Sequence, residues 1–202
     1  RRVLHNQPDR SVVVVQVGFS TNLAQLISSQ PDAESPLKGP ELIRRKVRLL
    51  SMMAGAFRPI DGRRRFLEYN VVKDLEHARK LVSEWPAPIV FSGFEIGYAV
   101  RYPAESIERD FSYVEHHPLA ESYLMYEPAP HHRPTWDLTS VLYAAYPERG
   151  YFALSEAGRV TVEDDGNTVF ESRPDGGHRY LILEKTQVGR VREAMVHLAS
   201  QP

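Results

Sequence analysis

The stretch Ser11-Val-Val-Val-Val-Gln-Val17, followed directly by Gly18-Phe-Ser-Thr-Asn22, decides the fold of this chain. A run of β-branched residues that closes at a glycine predicts a buried parallel strand. After the glycine, Ser20 or Thr21 can cap a helix that continues to Ile27. The chain therefore opens with a strand, a tight polar turn and a helix.

The same order of elements recurs further along the chain. Val47-Arg-Leu-Leu-Ser-Met-Met53 predicts a second strand, and Ile89-Val-Phe91, closed by Gly93, predicts a third. Between them, residues 74–85 have apolar side chains at helical spacing and predict an amphipathic helix. Strands that alternate with helices are typical of a layered α/β domain. We expect one three-layer α/β domain over residues 1–202, with a mostly parallel open sheet and flanking helices.

In the remainder of the chain, the pattern of apolar residues is less regular at first and then becomes regular again. The further predicted helices are residues 41–45, 105–114, 119–126, 138–145 and 186–199. Residues 159–163 and 168–170 predict a hairpin across Asp164-Asp-Gly-Asn167, and residues 179–183 predict a last strand. Thr135 or Asp137 can cap the helix that starts at residue 138. The α/β domain should thus end in a hairpin, a strand and a helix.

Composition excludes several classes of function. Lys and Arg number 25 against 26 Asp and Glu, so the net charge of -1 provides no general attraction for nucleic acid or a membrane surface. The basic cluster Arg63-Arg-Arg65 is best explained as a solvated loop. The absence of cysteine excludes disulfides and thiolate chemistry. No apolar run approaches the ~20 residues of a membrane helix, and the compartment stays open between cytoplasmic and exported.

Three polar sets lie where the predicted strands end or a helix begins. They are Gly18-Phe-Ser-Thr-Asn22, Glu68-Tyr-Asn70 and Thr135-Trp-Asp137. Ligands of open α/β sheets bind beyond the carboxyl ends of the strands, so these sets are candidates for a site. Each set alone also has a structural explanation, as a helix cap or as turn residues.

Taken together and in this order, the sets resemble the inosine-uridine preferring nucleoside hydrolase family. Gly18-Phe-Ser-Thr-Asn22 matches the Gly, Thr and Asn of the family's Gly-Pro-Leu-Thr-Asn turn, and Met53-Ala-Gly55 is similar to its Met-Gly-Gly strand end. Glu68-Tyr-Asn70, with Asp74 four residues later, fits its Glu-Phe-Asn element. Trp136-Asp-Leu-Thr-Ser-Val-Leu-Tyr-Ala144 looks like its aromatic-Asp helix. The resemblance covers nearly the whole chain.

The resemblance implies a role for each matching residue. The main-chain carbonyl of Thr21 and the carboxylate of Asp137 would bind calcium, which prefers six to eight oxygen ligands. Asp137 would also contact the ribose diol and take part in catalysis. Glu68 and Asn70 would hydrogen-bond ribose hydroxyls, and Met53 would pack near the sugar. The reaction implied is calcium-assisted hydrolysis of the N-glycosidic bond of ribonucleosides to ribose and free base.

The resemblance also implies how the base is held. Trp136 stands where many members have a His that protonates the leaving base, and an indole there resembles the purine-preferring branch. Stacking on an aromatic face contributes ~1–3 kcal/mol per base. Purine preference is therefore a hypothesis that depends on this one residue. His131 or His132 could supply the leaving-group acid, and a transition-metal site at His116-His117 or His131-His132 is the less favoured interpretation.

The sequence departs from the family in two places. The family's Asp-x-Asp-x-x-x-Asp-Asp motif, which supplies the general base and most calcium ligands, lies upstream of the region matching this chain, and no such motif occurs in the 202 residues. The only Asp-Asp pair, Asp164-Asp165, lies in the predicted hairpin turn. Gly62 also replaces an Asn that contacts ribose. We therefore expect the C-terminal two-thirds of a nucleoside hydrolase, with weak or no calcium binding and no hydrolysis by the chain as written.

Alternatives remain open. The chain could be a catalytically inactive remnant that binds ribose or nucleosides, or a hydrolase of another N-ribosyl substrate, since a fold does not define the group that leaves. The expected partner is a small-molecule nucleoside, with no nucleic acid and no membrane, and the intact protein should be a homodimer or homotetramer. Loss of the first strand would leave an exposed sheet edge that favours association.

Overall fold

A computed structural model describes residues 1–201. Nine strands occur in this part of the chain: β1 Val12–Gln16, β2 Val47–Met53, β3 Ile89–Ser92, β4 Arg101–Tyr102, β5 Arg133–Pro134, β6 Ala153–Leu154, β7 Gly158–Val162, β8 Thr168–Ser172 and β9 His178–Ile182. Ten α-helices accompany them: α1 Arg2–His5, α2 Thr21–Ser28, α3 Gly39–Lys46, α4 Tyr69–Lys73, α5 Leu75–Glu84, α6 Phe94–Ala99, α7 Ala104–Arg109, α8 Pro118–Tyr126, α9 Trp136–Ala145 and α10 Val188–Ala199.

Seven of the strands form one mixed sheet. Its order is β1-β2-β3-β9-β7-β8, and β6 pairs with β9 beside this path. Strands β1, β2, β3 and β9 are parallel, whereas β6, β7 and β8 pair antiparallel with their neighbours. Strands β4 and β5 form a separate two-stranded ribbon. The carboxyl ends of four parallel strands therefore meet at one edge, where a ligand site is expected.

Helices cover both faces of the sheet. Alternate residues of a strand point to opposite faces, so Leu50 and Phe91 pack among helices α3 and α5 while Val90 packs with Leu142 of α9 and Val191 of α10. Leu50, Phe91 and Val191 are fully buried. Removal of each such side chain from water contributes about 1.5–3 kcal/mol to the free energy of folding. The predicted three-layer, mostly parallel α/β architecture with a terminal hairpin, strand and helix is confirmed.

Three local predictions need correction. Strand β1 was expected to be buried, but it lies at the edge of the sheet, with Val15 36% exposed. The helix predicted for residues 105–114 ends at Arg109, because the chain turns there instead of continuing. Helices α4 and α6 were not predicted, since five and six residues are too few to show a helical period.

None of the helices within residues 1–201 combines the length and the apolar character that a membrane span requires.

Candidate active site at the carboxyl edge of the sheet

The end of β2 and the start of α4 come together at the carboxyl edge. The amide Nδ2 of Asn70 lies 3.5 Å from the carbonyl oxygen of Met53 and 3.3 Å from its Sδ. Met53 is buried, and Asn70 is half-buried. This contact engages the amide nitrogen, so the amide oxygen is the atom left to accept a ligand hydroxyl. The two predicted sugar-contact residues are thus neighbours.

Glu68 connects the same two segments through its carboxylate. Oε1 accepts a hydrogen bond from the Asn70 N–H at 2.9 Å, and Oε2 accepts from Val71 at 3.2 Å and from Gly55 at 3.3 Å. Glu68 is only 2% exposed and is the N-cap of α4, which places it inside the site wall. Its oxygens still have lone pairs for a ribose hydroxyl. Burial raises the pKa of Glu68 against these three N–H donors, and the charge of Asp137 raises it further.

The turn after β1 is linked to the start of α5. Asp74 Oδ2 accepts hydrogen bonds from the Thr21 N–H at 2.9 Å and from the Thr21 hydroxyl at 3.0 Å. Burial raises the pKa of Asp74, but hydrogen bonds from His77 and Thr21 outweigh it and leave the pKa below its ordinary value. The first turn of α2 is therefore capped by a carboxylate from another helix, while the Ser20 hydroxyl accepts from Gln16.

Helix α9 brings Asp137 to this edge. The helix packs on the sheet through buried hydroxyls: the Ser51 hydroxyl donates to the carbonyl of Ser140 at 2.9 Å, and Ser92 and Thr139 are joined by a 2.6 Å hydrogen bond. Asp137 lies in the first helical turn and is not the N-cap, a position held by Thr135. Thr135 occupies the N-cap position, but its side chain makes no capping hydrogen bond, because its hydroxyl donates to the carbonyl oxygen of Val100. The capping interpretation of Asp137 is therefore wrong.

The carboxylate of Asp137 is unusual for a group on an exposed helix turn. Burial against the surrounding wall raises its pKa, the charge of Arg133 lowers it in part, and no hydrogen bond within residues 1–201 contributes. A carboxylate without a structural hydrogen bond retains its acceptor atoms for a ligand. The charge of Asp137 is among the causes that raise the pKa of Glu68, so the two acids are close enough to interact electrostatically.

Trp136 belongs to an aromatic cluster beside these acids. Phe94 lies at its centre, with ring centroids 5.1 Å from Trp136, 4.2 Å from Phe66 and 5.6 Å from Tyr98. The indole Nε1–H donates to the carbonyl oxygen of Phe94 at 3.1 Å. The ring plane is thereby held in place, and the indole N–H is not free to protonate a leaving group. Phe66, Phe94 and Tyr98 escaped the sequence analysis, although Gly93 at the end of a strand marks where this wall begins.

Gly97 explains why α6 can approach α9 so closely. A Cβ at this position would lie 2.3 Å from the Cα and 2.5 Å from the backbone nitrogen of Trp136. In addition, the Thr135 N–H donates to the Gly97 carbonyl at 3.1 Å. Because backbone atoms cannot give way cheaply, only glycine permits this packing.

A cavity of about 310 Å³ lies next to Trp136 and Asp137. Its wall is mainly apolar and aromatic, with Tyr102 and Tyr123 opposite the segment 133–138. The Tyr123 ring stacks on His131 at 4.2 Å. Small-molecule sites are typically apolar cavities of this kind with a few convergent polar groups. This cavity combines aromatic and aliphatic side chains with the charged side chains of Arg133 and Asp137.

Glu95 is a half-buried acid near this edge that the sequence did not indicate. Its oxygens accept from the Phe57 N–H at 3.2 and 3.3 Å. Burial raises the pKa of Glu95 to about 7, while backbone N–H groups and the charge of Arg58 lower it. An acidic residue in the first turn of a helix is so common that the sequence carries no signal of this burial.

The remaining sequence candidates have other contacts. His132 Nδ1 accepts from the Ala104 N–H at 3.2 Å, and His131 Nδ1 lies 3.3 Å from the Pro128 carbonyl. The Arg63-Arg-Arg65 segment is exposed, and Arg65 pairs with Asp165. Asp164 pairs with Arg79. The Asp-Asp pair of the hairpin turn is thus engaged in ion pairs.

The residues present do not by themselves fit calcium. Among residues 1–201, no three His, Asp or Glu side chains gather as a metal site. The calcium ligands that the resemblance implies within this chain are one carboxylate, from Asp137, and one carbonyl, from Thr21. The ion takes six to eight oxygens.

Comparisons with known proteins place the fold. No protein-family model matches the chain, and no curated protein sequence matches it. A plant nucleoside hydrolase aligns with a TM-score of 0.70 and 18% identity, over 100% of this chain and 65% of its own. A purine-preferring ribonucleoside hydrolase from Gardnerella vaginalis aligns with a TM-score of 0.65 and 14% identity, over 98% and 65%. An inosine-uridine preferring nucleoside hydrolase from Bacillus anthracis gives 0.62 and 16%, over 96% and 62%.

These likenesses concern the fold, because the identities are low. The chain spans a little less than two-thirds of the length of these solved structures. Within that span, it has the mixed α/β fold of the nucleoside hydrolases.

Proposed function

We propose that this chain is the ribose- and base-binding part of a nucleoside N-ribohydrolase. The observation that carries the proposal is the contact of Met53, Glu68 and Asn70 at the carboxyl edge of a sheet on which α9 packs, with Asp137 in the first turn of that helix. Trp136 and Asp137 also line the cavity next to α9. These residues match the family's motifs, and the fold is similar to that of the plant, Gardnerella vaginalis and Bacillus anthracis nucleoside hydrolases.

Each group has a role in binding a ribonucleoside. Asn70 and Asp137 accept hydrogen bonds from the ribose hydroxyls, and Met53 packs beneath the sugar. Trp136, held by its bond to Phe94, offers a face on which a base can stack. We propose a purine base, because a two-ring base gains more from stacking on an indole. A higher kcat/KM for uridine than for inosine in the intact protein would contradict this preference.

Glu68 contributes electrostatically to the reaction. Cleavage of an N-glycosidic bond gives the ribose oxocarbenium character in the transition state. A buried carboxylate stabilises that positive charge more strongly than a solvated one, because the local dielectric constant is low. The three backbone N–H donors hold Glu68 in position without any rearrangement during the reaction.

The general base is missing from these residues. The resemblance assigns the general base to the Asp-x-Asp-x-x-x-Asp-Asp motif and not to Glu68 or Asp137, and the contribution of a general base is about 10²–10⁴ in rate. We therefore propose that hydrolysis needs an Asp-x-Asp-x-x-x-Asp-Asp segment beyond the 202 residues, and calcium binding is proposed only together with it. The coding sequence upstream of Arg1 tests this directly. An in-frame strand carrying the motif supports the enzyme, whereas a start codon at Arg1 leaves a ribose-binding remnant.

Binding by the chain itself can be measured independently. Calorimetric titration with inosine should show saturable binding, and Asp137→Asn and Asn70→Ala should each weaken it at least about tenfold, as expected for a lost charge-assisted or neutral hydrogen bond. Asp110→Asn, an exposed aspartate at the end of α7, is the matched control and should change nothing. Inosine affinity that is equal in all three variants would remove the basis for the proposed site.

A further inference from the structure

A second cleft lies at the opposite, amino edge of the sheet. It has a volume of about 420 Å³ and forms where β3, β7 and β9 begin. The segment 85–88 lines one side, and residues 173–178 line the other. A four-residue strand such as β3 spans about 10 Å, so this cleft and the carboxyl-edge site are separated by the length of the strands. The proposed nucleoside site makes no use of it.

The charges in this cleft are unbalanced. Arg159 lines it and forms no ion pair within residues 1–201. Arg173 lines it too, and its only ion-pair contact is a long one, 3.7 Å from Nε to Oδ1 of Asp175. Asp175 is 80% exposed at its side chain, so this contact is weak. Two guanidinium groups thus face one loosely held carboxylate.

Buried hydrogen-bond donors add to these cations. His178 is 9% exposed, and its Nδ1 accepts from the Val160 N–H at 2.9 Å, which puts the ring proton on Nε2. Trp85 is 6% exposed, and its Nε1–H has no acceptor among the described residues. A buried donor without an acceptor costs about 1–3 kcal/mol, which a ligand oxygen would offset. The residues that line the cleft therefore include a buried side-chain donor, the Trp85 Nε1–H, that has no acceptor among the described residues.

The rest of the lining suits a small organic molecule. Pro86, Ala87 and Pro88 form an apolar wall. On the other side, the chain passes within contact of itself: a Cβ on Gly176 would lie 2.1 Å from the carbonyl oxygen of Gly158. A side chain at this position would clash with the backbone of Gly158, so the close approach of the two segments requires glycine. The lining of the cleft thus combines an apolar segment with two arginine side chains.

We propose that this amino-edge cleft binds a small phosphate ester, with Arg159 and Arg173 contacting the phosphate oxygens and the proline wall contacting the organic part. Guanidinium groups match phosphate geometry with two parallel hydrogen bonds, and a doubly charged ester is the ligand favoured by two arginines of which one has no ion pair and the other only a weak one. The inference is independent of the proposed nucleoside site.

Calorimetric titration of the chain with ribose 5-phosphate and with inorganic phosphate, at constant ionic strength in chloride, tests the proposal. Both should bind saturably, and Arg159→Ala and Arg173→Ala should each weaken binding at least about tenfold. Arg192→Ala, an exposed arginine on α10, is the matched control and should bind as the parent chain does. In a Trp136→Phe background, Trp85 is the single indole, and its fluorescence should change on binding.

Two results would overturn the proposal. One is the absence of saturable binding of either phosphate compound up to about 10 mM, since weaker association is indistinguishable from ion screening. The other is equal affinity of the Arg159→Ala, Arg173→Ala and Arg192→Ala variants, which would mean that binding follows net charge only. All three arginines are exposed, so the variants should fold, and thermal unfolding of each verifies this.

Discussion

The two edges of the sheet use their polar side chains in different ways. At the carboxyl edge, carboxylates join backbone segments that are distant in sequence: Glu68 holds Gly55, Asp74 holds Thr21, and Glu95 holds Phe57. At the amino edge, the donors of Arg159 and Trp85 lack such partners. The carboxyl edge is therefore preorganised by its own acids, whereas the donors at the amino edge remain available to a ligand.

This difference also separates the pH behaviour of the two edges. Burial raises the pKa of Glu95 at the carboxyl edge to about 7 and lowers the pKa of His178 at the amino edge to about 4. Both shifts disfavour the charged form. The contribution of the carboxyl edge to the free energy of unfolding should therefore fall as pH rises, and that of the amino edge should fall as pH falls. The following predictions test this contrast in order of expected effect.

Gly97→Ala should have the largest effect, because its Cβ would meet the backbone of Trp136 at the carboxyl edge. We expect a loss of about 3 kcal/mol in the free energy of unfolding, at the upper end of overpacking costs, together with altered Trp136 fluorescence. Urea denaturation measures the loss. Gly189→Ala is the control, since a Cβ in that helix meets no atom within 4 Å and should be neutral or stabilising. Equal urea midpoints for both variants would show that α6 and α9 are not packed as described.

Acid should destabilise the amino edge through His178. A histidine whose folded-state pKa is depressed contributes stability that is present above its ordinary value of 6.5 and is lost as pH falls through about 4. The expected loss is about 2 to 3 kcal/mol in the free energy of unfolding. His178→Gln keeps a neutral acceptor for the Val160 N–H and cannot titrate, so its stability should fall less over the same pH range. Parallel pH profiles of the two proteins would contradict the assignment.

A rise in pH from about 4.5 to about 7 should destabilise the carboxyl edge through Glu95. A carboxyl group whose folded-state pKa is raised contributes stability that is present below its ordinary value of 4.5 and is lost as pH rises through about 7. Glu95→Gln should therefore be more stable than the parent chain by about 2 kcal/mol above pH 7, with no gain near pH 4.5. Thermal unfolding across this range measures the difference. Glu105→Gln, an exposed glutamate in the first turn of α7, is the control, and a gain of the same size there would mean a general charge effect.

The sequence predicted what depends on local pattern. Strands β2 and β3 follow from runs of apolar residues that end at glycine, and the hairpin follows from its turn residues. Residues Met53, Glu68, Asn70 and Asp137 were named because they match motifs at the carboxyl ends of strands. Met53, Glu68 and Asn70 lie together because the Glu68 carboxylate and the Asn70 amide join the end of β2 to α4. Asp137 is instead carried by α9, which packs on the sheet.

What the sequence could not predict depends on contacts between distant segments. The burial of β1 is set by what lies beside it, and a valine run looks the same in a central strand and in an edge strand. Glu95 and His178 carry no sequence signal, since their pKa shifts come from burial by other elements. The Thr135 hydroxyl donates a hydrogen bond to the carbonyl oxygen of Val100 instead of capping its own helix, and only the tertiary structure reveals this contact.

The smallest predicted effect concerns the link that positions Thr21. Asp74→Asn removes the charge from the cap of α2 but keeps one acceptor oxygen, so we expect a loss of about 1 kcal/mol at neutral pH. Because the pKa of Asp74 is depressed below 3.8, its contribution is present above that value and should vanish as acid protonates the parent chain. A double-mutant cycle with Thr21→Val, read by urea denaturation, isolates the coupling of the two side chains. A coupling energy near zero would mean that the carboxyl edge is held by Glu68 and Glu95 without this third link.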